Sequence, residues 1–159
     1  MNDTVTVIIS IASAVLALGS AAFSIFTYVR NVRHDRRRDT LDAFNRLQNE
    51  SLDKLNKMRP EDVREIAEDT ASDEYKTLSG YIARLEHFCA GVNLGIYDRK
   101  TVFELANGYL DSNTIRSRID PIIEKKHRKA EKDYYENIHR LLAWMKDTDN
   151  RKKRKGEKQ

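Results

Sequence analysis

The sequence predicts an all-α protein, in which one N-terminal transmembrane helix precedes a small cytoplasmic helical bundle. Residues 5–29 form an apolar run without any charged residue. The rest of the chain repeats apolar residues every three or four positions, and it shows no alternating strand pattern. Only two prolines are present, so little interrupts the predicted helices.

The apolar run is long enough to cross a bilayer. At about 1.5 Å per residue, a helix over residues 5–29 measures roughly 37 Å, more than the ~30 Å hydrocarbon core. Residues 30–38, which follow it, carry five arginines. Because arginines resist translocation, we expect this basic juxtamembrane segment in the cytoplasm and residues 1–4 outside.

A cleaved signal peptide is the alternative interpretation of the apolar run. Signal peptides have a basic start and an apolar stretch of about 7–15 residues. Here residues 1–4 contain an acid and no base, and residues 23–29 continue the apolar run beyond its small residues. The sequence therefore favours a retained anchor.

Small residues share one face of the predicted spanning helix. Such a face allows close packing of helices in lipid, so we expect contact with a second copy or with another membrane protein. The small residues on this face are Ser10, Ser13, Ala14, Ala17, Ser20, Ala21 and Ser24.

Positive charge is concentrated at two flanks of the chain. Residues 30–38 have a net charge of +4, residues 146–159 carry seven bases against three acids, and residues 39–145 sum to −3. A mildly acidic folded part is unlike a nucleic-acid-binding domain, so no nucleic-acid partner is expected. We expect the basic flanks to contact anionic lipid headgroups, with residues 148–159 as a disordered tail; a tail without a partner is the alternative. The residues expected at the membrane surface are Arg30, Arg33, Arg36, Arg37, Arg38, Arg151, Lys152, Lys153, Arg154 and Lys155.

Residues 39–147 are predicted to form the helical cytoplasmic domain. Asp39 or Thr40 can cap its first helix, which must end before Pro60 because the residue preceding a proline leaves the α region. Ser72 or Asp73 can cap a later helix, which carries the most regular apolar pattern of the chain.

That later helix has an unbroken apolar seam with alternating spacings of three and four. The seam could pair between chains as a coiled coil, but packing within a small bundle is favoured because neighbouring segments also have apolar faces. The seam residues are Tyr75, Leu78, Ile82, Leu85, Cys89, Val92 and Ile96.

The residues that end and begin the following helices can also be predicted. Gly95 is expected to end the seam helix, Ile96 and Tyr97 to fill the joint, and Asp98 to cap the next helix. Pro121 is expected to kink or split a later helix, with Asp120 available as a cap.

Four segments of this domain carry a recognisable pattern: Tyr-Ile-Ala-Arg-Leu-Glu-His-Phe at residues 81–88, residues 91–98, and the later residues 119–124 and 134–138. These segments resemble a bacterial domain-of-unknown-function family, DUF4760. The resemblance implies a bacterial or phage origin and a single-pass membrane protein with a helical cytoplasmic domain. The expected location is therefore the bacterial inner (cytoplasmic) membrane. The family brings no assigned activity and no catalytic residues.

The residues themselves suggest no reaction chemistry. The lone cysteine, Cys89, rules out an intrachain disulfide and a Cys-based zinc site, and its seam position predicts a buried apolar role. Glu86 and His87 are adjacent, but neighbouring helical residues point about 100° apart. No zinc-protease motif or Gly-rich phosphate loop occurs. We predict no catalytic, cofactor-binding or metal site, no cofactor and no enzyme activity.

The sequence thus predicts a single-pass membrane protein that displays a cytoplasmic interaction or regulatory module. Its expected partners are the lipid bilayer and either another protein or a second copy of itself. One alternative is a phage- or defence-related membrane effector that acts through oligomerisation of the spanning helix. A further alternative is a membrane-tethered enzyme.

Overall fold

The computed structural model describes residues 2–106, 109–110, 112–127 and 135–156. Within these ranges the chain is helical and contains no strand, as the sequence predicts. It divides into two compact units, Met1–Arg36 and Arg37–Gln159. The helices are α1 (Asn2–Leu47), a π-helical turn (Gln48–Leu52), α2 (Asp53–Lys57), α3 (Pro60–Glu68), α4 (Asp73–Asn93), α5 (Arg99–Ala106), α6 (Ser112–His127) and α7 (Glu136–Gly156).

No new helix begins after the arginine block, which corrects the expected cap at Asp39 or Thr40. Both residues lie inside α1, where backbone N–H groups already bond within the helix. Thr40 is fully buried, and its hydroxyl accepts a hydrogen bond of 2.8 Å from the backbone N–H of Asp98. Thr40 therefore fixes a turn that is distant in sequence and does not start a helix.

The π-helical turn explains an irregular apolar spacing after α1. Leu47 and Leu52 are five positions apart, yet both are buried. In the π-helical turn the backbone N–H of Asp53 bonds to the carbonyl of Gln48, five residues earlier. This wider turn brings both leucines to the same side of the chain.

The break before Pro60 is confirmed and is reinforced from another helix. Met58 and Arg59 have extended backbone angles, and Pro60 occupies the first turn of α3. Arg118 of α6 donates to the carbonyl of Met58 at 2.9 Å and to that of Asn56 at 3.4 Å. These bonds satisfy carbonyls that the end of α2 leaves without helical partners.

Helix α4 lies at the centre of the second unit, and its seam is buried against other parts of the same chain, chiefly α7 and the π-helical turn. Ser72 caps it, since its hydroxyl accepts from the backbone N–H of Tyr75 at 3.1 Å. The prediction for Ile96 is wrong, because α4 ends at Asn93 and Ile96 is 61% exposed. The buried seam residues are Tyr75, Leu78, Ile82, Leu85, Cys89 and Val92.

The turn after α4 has the predicted glycine stop. Gly95 has φ +75°, and the backbone N–H of Ile96 bonds to the carbonyl of Gly91 at 2.9 Å. Tyr97 fills the joint as predicted: its ring stacks on Phe88 at 5.2 Å between centroids. It also lies so close to Gly91 that an added Cβ there would come within 2.6 Å of the ring.

Two predictions near the C-terminal half need correction. Helix α6 continues through Pro121, so Asp120 is not a cap; buried isoleucines on both sides of the proline hold the helix in place. Helix α7 runs to Gly156, so described residues 148–156 are helical and not a disordered tail. Arg151 pairs with Asp147 one turn earlier at 2.7 Å, and basic residues at a helix C-terminus complement the helix dipole. Residues 157–159 lie outside the described ranges.

Candidate functional site

The apolar segment of α1 is the most extensive exposed apolar surface among the described side chains, which begin at residue 13. Leu16 is 72% exposed and Phe23 is 71% exposed, and the most apolar window is not buried at all. Among the described residues, one helix is long and apolar enough to cross a membrane, and it lies near the N-terminus. The other large apolar side chains exposed here are Val15, Leu18, Ile25, Phe26, Tyr28 and Val29.

The predicted small-residue face is uncovered in this structure. Its described members, Ser13, Ala14, Ala17, Ser20, Ala21 and Ser24, are all exposed. The Ser24 hydroxyl donates to the backbone carbonyl of Ser20 at 2.9 Å, so this polar group is satisfied within its own helix. That arrangement suits a serine in lipid. The side chain of Ser10 lies outside the described ones.

The arginine block surrounds much of its helix. At 100° per residue the five arginines cover about 200° of the helix circumference. They therefore form a broad arc around the helix, and the opposite side carries none of the five. All five side chains are exposed: Arg30, Arg33, Arg36, Arg37 and Arg38.

The second predicted basic flank lies on the last turns of α7. Arg151 and Arg154 are exposed. The side chains of Lys152, Lys153 and Lys155 are outside the described ones. The helical backbone nevertheless places the five consecutive basic positions on a regular helix. They are spread around the helix axis and do not form one stripe.

The residues considered for reaction chemistry either lie apart from one another or have structural roles. His87 is exposed beside the seam. Cys89 is buried, and burial raises the pKa of its thiol, with the nearby Glu86 carboxylate raising it further. A thiol with a raised pKa is a poor nucleophile at neutral pH. The predicted role of Cys89 as a small buried apolar residue is confirmed.

Glu86 has a structural role that the sequence does not reveal. One carboxylate oxygen accepts from the backbone N–H of Asn137 at 3.1 Å and from its side-chain amide at 2.7 Å; the other accepts from the N–H of Ile138 at 3.0 Å. These donors lie in the first turn of α7, whose partial positive charge favours a carboxylate. Asn93 adds a bond to the carbonyl of Asn137 at 3.1 Å. Two residues of α4 therefore fix the start of α7.

A polar cleft of about 420 Å³ lies between α3 and α6. Glu68 of α3 pairs across it with Lys125 of α6. Partial burial raises the pKa of Asp120; the nearby Arg116 and His139 oppose that effect, and Glu124 adds to it. The walls of the cleft carry both positive and negative side chains, so the cleft does not favour a ligand of either charge. Among the described residues, no group of three or more His, Cys, Asp or Glu side chains could hold a metal ion.

The family described as a domain of unknown function (DUF4760) matches residues 10–144. The chain belongs to this family. The DUF4760 match begins inside the apolar segment, includes the Glu86 bonds to α7 and ends at Trp144, before the basic end of α7. No curated protein and no solved structure matched the chain. Membership in DUF4760 establishes a family but assigns no function.

Proposed function

We propose that this DUF4760 protein is a single-pass membrane protein that carries a helical interaction or regulatory module on the cytoplasmic side of the bacterial inner membrane. The exposed apolar segment of α1 carries this proposal. Monomeric soluble proteins rarely expose contiguous apolar patches above a few hundred Å². A bilayer would cover such a segment on every side, and the arginines after it would lie among the phosphates.

The residues that the family match covers support an apolar segment that stays in the mature protein and is not cleaved off. The match starts at Ser10, so the family's shared region includes part of the apolar run. A removable signal peptide would precede the conserved domain and would not form part of it.

Topology can be tested by labelling single cysteines in intact cells. The native Cys89 is buried and has a raised thiol pKa, so the unaltered protein is a low-background control. Thr4→Cys should react with a membrane-impermeant maleimide in spheroplasts. Glu61→Cys, on an exposed position of α3, should react only after permeabilisation. The reverse labelling pattern would overturn the orientation, and recovery of the protein in the soluble fraction would overturn the anchor.

The interaction role can be tested by photocrosslinking in native membranes. A photoreactive residue at Ala83 or His87, both exposed on α4, should give a discrete adduct with one protein. Charge-changing substitutions at neighbouring exposed positions should remove the adduct while the fold persists. Absence of any discrete adduct from exposed positions throughout α3, α4 and α7 would contradict an interaction module.

Oligomerisation of the spanning helix is a second candidate, favoured by the uncovered small-residue face. Ala17→Leu or Ala21→Leu would enlarge that face and should reduce crosslinking between copies in the membrane. Val15→Leu, on another face of the same helix, is the matched control. If the enlarged variants crosslink as well as the control, the small residues do not mediate association.

A further inference from the structure

The turn after α4 displays two aliphatic side chains that the second unit leaves uncovered. Leu94 is 77% exposed and Ile96 is 61% exposed, the highest values among the large apolar side chains described in that unit. They flank Gly95, whose left-handed backbone makes the turn tight. The two side chains therefore project from the tip of a well-defined turn and do not belong to the core.

This turn is tied to the part of α1 that follows the arginine block. The backbone N–H of Asp98, two residues beyond Ile96, donates to the Thr40 hydroxyl at 2.8 Å. Thr40 comes two residues after Arg38 and eleven residues after Val29, the last residue of the apolar run. The bond therefore ties the turn to the first residues of the second unit, which follow the arginine block along the chain.

The surroundings of the turn are basic. The Arg99 guanidinium lies against the end of α4, 3.4 Å from the carbonyl oxygen of Val92 and 3.4 Å from the side-chain oxygen of Asn93. Lys100 and Arg37 line one shared groove of about 290 Å³, where Glu104 approaches Lys100 at 4.0 Å. The carboxylate of Asp98 is engaged as the cap of α5, where it accepts from the backbone N–H and the hydroxyl of Thr101 at 2.8 and 2.7 Å.

Helix α7 leads its basic residues toward the same end of the unit. Its first turn is held by Glu86 and Asn93, whereas Trp144, two turns later, lies 5.5 Å from the Arg99 guanidinium and packs against Phe103. From Asn137 to Trp144, α7 therefore runs in the same sense as α4. Beyond Trp144 it continues for roughly 18 Å at 1.5 Å per residue.

We infer that the turn at residues 94–96 docks on an anionic bilayer. Leu94 and Ile96 enter the interfacial region, while Arg99, Lys100 and Arg37 contact lipid phosphates. An aliphatic tip surrounded by basic side chains fits this surface, because the interface takes up apolar groups and its anionic lipids attract cations. The inference rests on the proposed membrane span. It adds a second attachment, which would hold the second unit against the membrane.

The test uses the full chain, with Cys89→Ala, reconstituted into vesicles of phosphatidylcholine and phosphatidylglycerol. An environment-sensitive fluorophore is attached at Leu94→Cys, and a quencher is carried on the lipid acyl chains. The matched control is Glu74→Cys, an exposed position near the other end of α4, about 30 Å away at 1.5 Å per residue. We expect most of the emission at position 94 to be quenched, with a blue-shifted spectrum, and little quenching at position 74.

Flotation of the vesicles separates the two proposals. A chain that does not float with vesicles contradicts the membrane span. A chain that floats but shows equal, weak quenching at both positions overturns the docking inference and leaves the span intact; a protein partner would then be the better occupant of the turn. Equal quenching in purely zwitterionic vesicles would overturn the role assigned to the basic residues.

A second variant removes charge without altering the probe. Arg99→Gln with Lys100→Gln should lower the quenching at position 94 severalfold in anionic vesicles. Far-UV circular dichroism reports whether the helices persist in this variant; Trp144 emission is unsuitable as that control, because the Arg99 guanidinium lies 5.5 Å from the Trp144 ring. Unchanged quenching with an unchanged helical spectrum would contradict phosphate contact by these residues.

Discussion

The apolar segment of α1 and the seam of α4 contain similar side chains but have different surroundings. Leu16 and Phe23 are mostly exposed, whereas Leu78 and Ile82 have almost no exposed surface. In residues 5–29 the apolar residues surround the helix, but in α4 they form one stripe beside polar residues such as Arg84 and His87. A stripe can be covered by a few neighbouring helices, whereas a helix that is apolar all round needs an apolar medium or burial on every side. The arrangement of apolar residues around the helix separates the two regions more clearly than their number does.

The largest expected contrast comes from truncating one apolar side chain in each region. Ile82→Ala should destabilise the second unit by about 2–5 kcal/mol, because it leaves a cavity in a packed core. Leu16→Ala should leave the stability of that unit unchanged, since the Leu16 side chain is 72% exposed and is not one of the buried core residues. Chemical unfolding in detergent, followed by the emission of Trp144, measures both. Equal destabilisation by the two variants would show that the apolar segment of α1 packs on the second unit.

The converse contrast comes from placing one arginine in each region. Leu16→Arg should reduce membrane insertion, since arginine near the centre of a spanning helix costs about 2.5–3.5 kcal/mol. Ala83→Arg, at an exposed position of α4, adds the same charge and should insert normally. Alkaline extraction of membranes distinguishes inserted from released protein. If Leu16→Arg resists extraction as well as Ala83→Arg, the segment does not span the bilayer.

Much of the fold follows from local sequence signals. Ser72 and Asp98 are helix caps, Gly95 is a stop and Pro60 opens a helix, each as its side chain or backbone chemistry predicts. The α4 seam is predictable because its spacing matches the helical repeat. Ile96 shows the limit of that pattern, since it keeps the spacing but follows the residue where the helix ends.

The contacts between distant residues could not be predicted in the same way. Glu86 binds the start of α7 across a separation of about fifty residues, and Thr40 binds the turn at Asp98. No local pattern distinguishes these side chains from other polar residues on a helix. The π-helical turn could have been suspected from one feature of the sequence, the five-residue step from Leu47 to Leu52. An ordinary α-helix cannot place two residues with that spacing on the same side.

A smaller effect is expected from the bond network at Glu86. Glu86→Ala removes three hydrogen bonds to the first turn of α7 and should destabilise the second unit by about 1–3 kcal/mol. His87→Ala, at the adjacent exposed position, should change stability by less than about 0.5 kcal/mol. Thermal unfolding measured by circular dichroism checks both.

The same two positions test the alternative of a membrane-tethered enzyme. A loss of cellular activity in His87→Ala and Glu86→Gln, with folding intact, would support that alternative.

The smallest expected effect concerns Asp120 in the cleft between α3 and α6. Because burial raises its pKa in the folded chain, the folded state binds more protons than the unfolded state just above the ordinary value of 3.8. Stability should therefore fall as pH rises through the interval from 3.8 to the raised pKa. Asp120→Asn removes this titration, so the variant should unfold at a slightly higher temperature at neutral pH and show a flatter pH profile. Glu65→Gln, at an exposed position of α3, is the control and should leave the profile unchanged. A lower unfolding temperature for Asp120→Asn at neutral pH would mean that the charged carboxylate is stabilised in the cleft.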